Sequence, residues 1–496
     1  MPILINLGEL QIALQAERAT PLPNGYLLQG KNITILHTFR QTRYYRHGWH
    51  SWSLTSWIPL STHLQKPQPE IRWPMIDHPR LLTGYPFTSS GVGALQSING
   101  KILLLGCLEL DGFVSADEAT LRGVYPHTAP GQQDEWFLAY GEEEQVFAAY
   151  ADQLGQRLGV RRCEHPPRVW CSWYGLYSDI YQEVLLDALA GLSGLPFEVF
   201  QIDDGWQISL GDWQANTKFP NGMAWMAEKV QHAGFTAGLW LAPLAVAPAS
   251  NIFQQHPDWL LRSEEGRPLA AGHNWGDFFY GLDVTHPEVQ SWLYNLIETV
   301  RSWGYNYLKL DFLYAGAMPG VRYENIPAER AFRNGLKIIR QAAGNAYVLV
   351  CGSPIFPALG LADALRVGSD VAPYWDNPER TINLHDPTGV GTLNAIRTTL
   401  HRLWLRPLID IDPDVAFFRT RFNLMFPEQN RLLQDLALIT GFRATSDLPA
   451  WLDPAERQAL NEFLQARPQI ERLDHCRFQI DQRLVDFSFV EEIWQA

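Results

Sequence analysis

Between Val169 and Ser446 the chain repeats one pattern: a short apolar run, a polar break, then a longer segment with apolar residues every three or four positions. The short runs fall at Val169–Trp173, Glu198–Asp203, Thr236–Ala242, Tyr305–Phe312, Tyr347–Cys351, Ala364–Asp370 and Pro407–Asp412, with a weak eighth near Arg443–Ser446. Each predicts a strand. The clearest helix between them is Pro287–Trp303, where Val289, Trp292, Leu293, Leu296, Val300 and Trp303 keep the 3.6-residue period. Thr285 and Glu288 read as its capping box, Pro287 suits its first turn, and Gly304 suits the position after its end. Eight strands with crossover helices over roughly 300 residues predict a (β/α)8 TIM barrel. A doubly wound open sheet is the rival.

The pattern differs on either side. Residues 1–165 read as all-β: alternating runs such as Ile33–Leu36, Lys101–Gly106 and Trp136–Tyr140 are separated by Gly, Pro and Asn, which predicts a β-sandwich. An aromatic stretch, Gly48-Trp-His-Ser-Trp-Ser-Leu-Thr-Ser-Trp57, lies inside it, and Cys163–Arg168 reads as a linker. After Gln469 only two strand-like runs remain, Arg477–Ile480 and Leu484–Val490, too little to fold alone. The predicted class is therefore multidomain α/β plus β: an N-terminal β-sandwich over 1–165, a catalytic barrel over 166–468, and a small C-terminal β segment over 469–496.

Composition narrows the function. Of the 496 residues 46% are apolar and 19% charged, which excludes a disordered or fibrous chain. The net charge of −14 disfavours nucleic acid, anionic membranes and polyanionic substrates. A neutral partner fits better, and 19 Trp suit stacking on sugar rings. The N-terminal stretch lacks the features of a signal peptide, and Phe235–Ala249 is too short and too proline-broken to span a membrane. Five scattered cysteines without a C-x-x-C pair, and histidines without an H-E-x-x-H pattern, predict a reducing cytoplasm, no disulfide framework and no protein-held metal.

Charge inside a barrel strand carries the chemistry. In Tyr305–Phe312, Leu308, Leu310 and Phe312 share one face, and Tyr307, Lys309 and Asp311 share the other. A parallel strand covered by helices is apolar on both faces, so the polar face predicts a barrel interior opening at the carboxyl end. By the same alternation Arg366, Gly368 and Asp370 face inward, and Asp203 follows the face of Gln201 while Asp204 begins a loop. A buried Lys–Asp ion pair is the plainer reading of Lys309 and Asp311. Two carboxylates, cations and Trp at one mouth suit glycoside hydrolysis, with Asp311 kept ionised by Lys309 as nucleophile and Asp370 protonated as acid. Asp410-Ile-Asp412 mimics a metal-binding pair but reads better as an acidic strand end, and no dinucleotide, Walker or G-x-S-x-G motif is present.

These residues also carry a resemblance. Trp173-Tyr-Gly, Gln201-Ile-Asp-Asp-Gly-Trp-Gln207, Gly238-Leu-Trp-Leu-Ala-Pro243, Tyr307-Leu-Lys-Leu-Asp-Phe312, Cys351-Gly-Ser-Pro354 and Arg366-Val-Gly-Ser-Asp-Val-Ala-Pro-Tyr-Trp375 resemble, in order, the motifs of the family 36 glycoside hydrolases, the α-galactosidases. Gly48-Trp-His-Ser-Trp-Ser53 resembles a motif of that family's N-terminal domain. The resemblance implies retaining, exo-acting hydrolysis of terminal α-D-galactosides of the melibiose and raffinose type, with a small oligosaccharide as partner and no cofactor. It implies Asp311 as nucleophile and Asp370 as general acid/base. It implies Asp203, Asp204, Lys309, Arg366, Cys351 and Gly352 on the sugar hydroxyls, with Trp173 and Trp240 lining the sugar and Trp52 reaching in from the sandwich. Lys-Leu-Asp-Phe in place of Lys-Trp-Asp-Met, and Cys-Gly-Ser-Pro in place of a glycine-rich run, place the chain nearer the compact prokaryotic branch. An α-N-acetylgalactosaminidase or a galactosyl-transferring synthase would use the same site, and a Schiff-base lyase on Lys309 or a non-catalytic sugar-binding protein are the distant alternatives.

Overall fold

The computed structural model describes residues 2–40, 42–67, 69–127, 131–376 and 386–494. Its N-terminal part is two packed antiparallel sheets. One has six strands, in the order Ile3–Leu7, Leu10–Gln15, Asn32–Leu36, Thr120–Val124, Phe113–Ala116, Thr88–Ser90. The other has seven: Arg18–Leu22, Gly25–Gln29, Glu135–Gly141, Ile102–Cys107, Val92–Gln96, Arg43–Arg46, Ser56–Pro59. Alternate residues such as Ile12, Leu14, Ile33, Ile35, Leu103, Leu105, Trp136 and Leu138 fill the space between them.

This part is not all-β. A helix runs over Glu143–Leu158 and covers the seven-stranded sheet with Val146, Phe147, Tyr150, Ala151 and Leu154. Burying Val146, Phe147 and Leu154 is worth about 1.5–3 kcal/mol each. The helix also explains why Ile102–Leu105 is apolar without alternation: Leu103 and Leu105 enter the sandwich, while Ile102 and Leu104 belong to the core on the helix side. Tyr150 lies so close to Gly106 that a Cβ there would fall 2.3 Å from its ring.

The central part is an eight-stranded, all-parallel sheet that curls on itself. Its strands are β1 (Val169–Cys171), β2 (Val199–Ile202), β3 (Thr236–Leu241), β4 (Tyr307–Leu310), β5 (Tyr347–Val350), β6 (Ala364–Arg366), β7 (Asp410–Asp412) and β8 (Ala444–Thr445). All eight expected strands are present, each shorter than its apolar run. The order β7-β6-β5-β4-β3-β2-β1-β8 keeps sequential strands adjacent, without the reversal a doubly wound sheet requires. β8 pairs with β1, and Ala416 beyond β7 donates its N–H to the carbonyl of Ala444 at 2.8 Å, bridging the two end strands. Helices lie between the strands, among them Pro287–Ser302 and Thr392–His401.

Two local expectations need correcting. The N-cap of Pro287–Ser302 is His286, whose Nδ1 accepts from the N–H of Glu288, whereas Thr285 donates its hydroxyl to Asp283. Gly304 does follow the helix, with φ +105°. Gly368 lies past the end of β6, where strand alternation no longer holds. A Cβ on it would meet Ala395 and Thr399 of the outer helix, not the sheet interior.

The C-terminal part is a three-stranded antiparallel sheet, Ile470–Arg472, Arg477–Ile480 and Arg483–Asp486, followed by a 3-10 segment over Ser488–Trp494. The expected run Leu484–Val490 therefore stops being a strand at Asp486, and the last two residues of the expected segment 469–496, Gln495 and Ala496, lie outside the described residues. Arg483 pairs with Asp435 on the helix Pro427–Thr440, which docks this sheet on the central part.

Candidate active site

The inside of the curled sheet is layered by the strand period. Low in it, Tyr307 and Tyr347 stack at 5.3 Å, and the Tyr347 hydroxyl donates to Asp410. The next inward positions are Lys309, Arg366 and Asp412. The mouth above them carries Asp311, Asp370 and Asp414. Such a mouth at the carboxyl ends of parallel strands is where a site can be built from several strands at once.

Lys309 does not pair with Asp311. Its Nζ lies 2.8 Å from Oδ2 of Asp203, which also accepts from Gln201 Nε2 at 2.5 Å and from Cys171 Sγ at 3.3 Å. Burial disfavours the ammonium, but Asp203 outweighs it and holds Lys309 charged well above the usual lysine range. A lysine held so firmly as a cation is unsuited to Schiff-base formation. Asp204 accepts from Gln207 Nε2 and from Trp275 Nε1, both at 2.6 Å, and burial raises its carboxyl.

Asp311, just past β4, is held by two donors. Trp240 Nε1 lies 3.1 Å from Oδ2, and the N–H of Phe312 lies 2.7 Å from Oδ1. The chain then turns sharply: Phe312 has φ +51° and Gly352, past β5, has φ +50°. A Cβ on Gly352 would sit 3.0 Å from the Trp52 ring and 3.1 Å from the Phe312 nitrogen, so only glycine leaves room for both. Phe312 consequently turns into the mouth, packing on Trp52 at 5.0 Å and Trp275 at 4.8 Å, rather than under the helices as strand alternation predicts.

Trp52 comes from the aromatic loop of the sandwich. Arg402 donates to the carbonyls of Gly48 and Ser51, the Ser353 N–H donates to Ser51 Oγ, and Trp49 Nε1 donates to Glu329. The loop is thus fastened to the central part, and the Trp52 indole N–H has no acceptor among the described residues. Trp173 is half-buried and packs on Tyr177. Cys351 is fully buried, and burial together with Asp311 keeps its thiol protonated.

Arg366 is shared. Its Nε lies 2.8 Å from Asp412, and its Nη1 lies 2.8 Å from Asp414 but 3.4 Å from Asp370. Asp412 and Asp414 are closed off at 1% and 0% side-chain exposure, while Asp370 is 31% exposed. Burial and the Asp414 charge push the Asp370 carboxyl up to about 7, against Arg366. A carboxyl raised by burial and a neighbouring carboxylate, and a second carboxyl held by two donors, therefore stand at one mouth.

The structure thus gathers Asp203, Asp204, Lys309, Asp311, Cys351, Gly352, Arg366, Asp370, Trp240 and Trp52, and leaves Trp173 beside them. Sequence reasoning missed Asp414, Tyr174, Gln207 and Trp275. Asp412 was singled out only as part of an acidic strand end. The spacing of Asp410, Asp412 and Asp414 was the available signal for a cation on the next strand, although only the first two lie within β7 and Asp414 follows it with φ +80°. Trp275 had none: it sits at the tip of a hairpin, Ala270–Asn274 and Asp277–Gly281, inserted after β3. Groups able to hold a metal lie elsewhere among the described residues, at His475, Cys476 and Glu491 and at Asp258, His286 and Glu288.

Comparison with known proteins points to one family. Residues 144–333 match the Melibiase family model. The α-galactosidase TtGalA of Thermus thermophilus, solved with p-nitrophenyl α-D-galactopyranoside, is 47% identical over 99% of this chain and 100% of its own, with a TM-score of 0.94. Its complex with stachyose gives 48% identity over 94% and 100%, with a TM-score of 0.89. Among curated proteins, α-galactosidase AgaA of Geobacillus stearothermophilus is 32% identical in a 202-residue alignment that covers 36% of this chain and 27% of that enzyme. The match thus spans about a quarter of the length of that curated relative. Aligned from end to end with a relative of nearly half its residues, this chain belongs to glycoside hydrolase family 36, the melibiase family of α-galactosidases.

Proposed function

We propose that the chain hydrolyses terminal non-reducing α-D-galactosides of the melibiose and raffinose type with retention of configuration. One observation carries this reading: Asp311 and Asp370 stand at one mouth in opposite surroundings, one held by donors and one crowded by another carboxylate. Asp311 attacks the anomeric carbon while Asp370 gives its proton to the departing glycosidic oxygen. Asp370 then takes a proton from water, whose oxygen attacks the same carbon and releases Asp311. Asp203, Asp204, Lys309, Arg366, Cys351 and Gly352 hold the hydroxyls, and Trp240, Trp173 and Trp52 wall the sugar. Charged hydrogen bonds beside aromatic faces suit a neutral polyol. The curled sheet is read as a (β/α)8 barrel over 166–468, between a sandwich over 1–165 and a β segment over 469–496.

The substrates in the two Thermus complexes support the galactoside class and an oligosaccharide partner. Five free thiols agree with a reducing, cytoplasmic setting, and among the described residues no helix is long and apolar enough to cross a membrane. The test is turnover of p-nitrophenyl α-galactoside against its N-acetylgalactosamine analogue, with the product anomer followed by NMR. We expect α-galactose first and little turnover of the analogue; β-galactose as first product refutes retention. Asp311→Gly should lose at least about 10³-fold in kcat and regain part of it with azide, giving the β-galactosyl azide. The α-azide would refute attack by Asp311.

A further inference from the structure

Three carboxylates compete for one guanidinium at the mouth, and the competition is unequal. Arg366 is 5% exposed and holds Asp412 and Asp414 at 2.8 Å each, the first through Nε and the second through Nη1. That same Nη1 is 3.4 Å from Asp370, beyond a strong hydrogen bond. Asp414 is also fixed by everything around it. Its Oδ2 accepts from the Tyr174 hydroxyl and from the N–H of Val371, and its Oδ1 accepts from the N–H of Val415. Its own N–H donates to Asp412, and its backbone sits at φ +80°, a left-handed conformation that costs a non-glycine residue of order 1 kcal/mol. Val371 directly follows Asp370, so the bond to its N–H ties Asp414 to the segment that carries the acid.

We propose that Asp414 is a positioning residue for the acid: by taking the Arg366 guanidinium and anchoring Val371, it withholds the countercharge from Asp370 and crowds it with a second buried carboxyl group. The inference rests on the reading of Asp370 as general acid. The other groups that act on Asp370 are Asp311, which adds to the effect, and Lys309, which opposes it. Tyr174 and Tyr177 also lie within electrostatic reach, and burial keeps both hydroxyls protonated. Of these groups Asp414 is the largest charge acting on Asp370 after burial. Without Asp414, Arg366 would turn to Asp370 and hold it as a carboxylate, unable to give up a proton.

The experiment is the pH profile of kcat/KM on raffinose, whose leaving group needs the acid, for the wild type, Asp414→Asn, Tyr174→Phe and Asp370→Asn. Asp414→Asn should move the basic limb toward acid by about one pH unit. At pH 8 its activity should then fall roughly tenfold further behind the wild type than at pH 5, because each unit beyond a single titration is a factor of ten. An equal loss at every pH gives Asp414 a merely structural role and overturns the proposal. Tyr174→Phe removes a donor from the same network but keeps the charge, so its limb should stay in place or move toward alkali. An acid-ward move matching that of Asp414→Asn also overturns it. If Asp414→Asn is not recovered folded, Asp412→Asn tests the shared guanidinium: freeing Arg366 from one competitor should shift the limb acid-ward by a smaller amount, and no shift counts against the proposal. Asp370→Asn separates the two readings. A limb that survives in that variant refutes Asp370 as the acid, whereas a limb lost there but unmoved in Asp414→Asn sinks the role of Asp414 alone.

Discussion

Two clusters of buried charge can be set side by side in this molecule. At the mouth, one guanidinium faces Asp370, Asp412 and Asp414. At the junction of the C-terminal sheet with the sandwich, the proportions reverse: Glu491 is bonded by Arg43 and by His475 at 2.8 Å, and Glu143 by Arg472 at 3.3 Å and by His475 at 3.4 Å. Burial penalises Glu491, yet His401, His475 and Arg43 hold its carboxyl far below the usual range. Burial likewise opposes the His475 charge, but Cys476, Glu143 and Glu491 hold it far above the ordinary histidine. Both clusters are largely buried, so burial does not distinguish them. The ratio of cations to carboxylates does: each carboxylate of the junction has its own cations, and the mouth leaves one carboxyl short of a close partner and raised. A cluster of the first kind fastens two elements, and one of the second kind is what the proposed general acid requires.

The comparison is broken most directly at Asp370. Asp370→Asn should lower kcat/KM on raffinose by about 10²–10⁴-fold, the usual worth of a general acid, with much less effect on p-nitrophenyl galactoside. Equal losses on both substrates would remove Asp370 from that role. The same variant should be at least as thermostable as the wild type at pH 8. The folded carboxyl titrates near 7, above its ordinary 3.8, so the folded state binds its proton more tightly than the unfolded one. Its ionised form therefore costs stability as pH rises through that window, and below about pH 4 the advantage of Asn should vanish. A melting temperature lower than the wild type at pH 8 would show that the mouth is not overloaded with negative charge.

The junction should answer in the opposite way. Glu491→Gln leaves His475 and Arg43 without their partner and should lower stability by about 1–3 kcal/mol, with kcat on p-nitrophenyl galactoside unchanged. The sign with pH follows from both groups. The stabilisation from Glu491 is present above its ordinary 4.5 and is lost as pH falls through its lower folded value. That from His475 is complete below its ordinary 6.5 and declines as pH rises toward its higher folded value. The difference in melting temperature between variant and wild type should therefore be widest near pH 5–6.5. A gap that widens above pH 8 would contradict this.

The contrast also explains what the sequence could disclose. Lys309, Asp311 and Arg366 were legible because a charge within or at the end of a strand that helices cover has nowhere to go but a mouth, whereas Asp370 lies past the end of β6 and reaches the mouth outside the strand alternation. All eight strands of the curled sheet were legible for the same reason of period. Partners were not, because strand alternation says nothing about which neighbour a side chain meets: Lys309 reaches across to Asp203 rather than Asp311. Phe312 and Gly368 were misplaced where the strands had already ended and left-handed or irregular backbone took over. The helix Glu143–Leu158 was missed because its five inward residues follow a strand-rich stretch without a capping signal, and no N-cap side chain closes its first turn. The junction was invisible altogether, since Arg43, Glu143 and the pair His475 and Glu491 come from three distant segments that only the finished fold brings together.

The smallest expected effect lies at Trp275, where the mouth borrows a residue from an exposed hairpin. Its indole N–H donates to Asp204 at 2.6 Å, while its ring packs on Phe312 and is 39% exposed. Trp275→Phe keeps a ring over Phe312 and removes only that donor. Asp204 retains Gln207, so the carboxylate stays bonded but is free to turn, and substrate hydroxyls meet it less well ordered. We expect KM for p-nitrophenyl galactoside to rise about three- to tenfold, as for one hydrogen bond to a charged group, with kcat nearly unchanged. The melting temperature should stay within about 1 °C, because a surface hairpin donor is worth little to the folded state. A large fall in melting temperature with an unchanged KM would mean that this side of the mouth is built like the junction, to fasten rather than to bind.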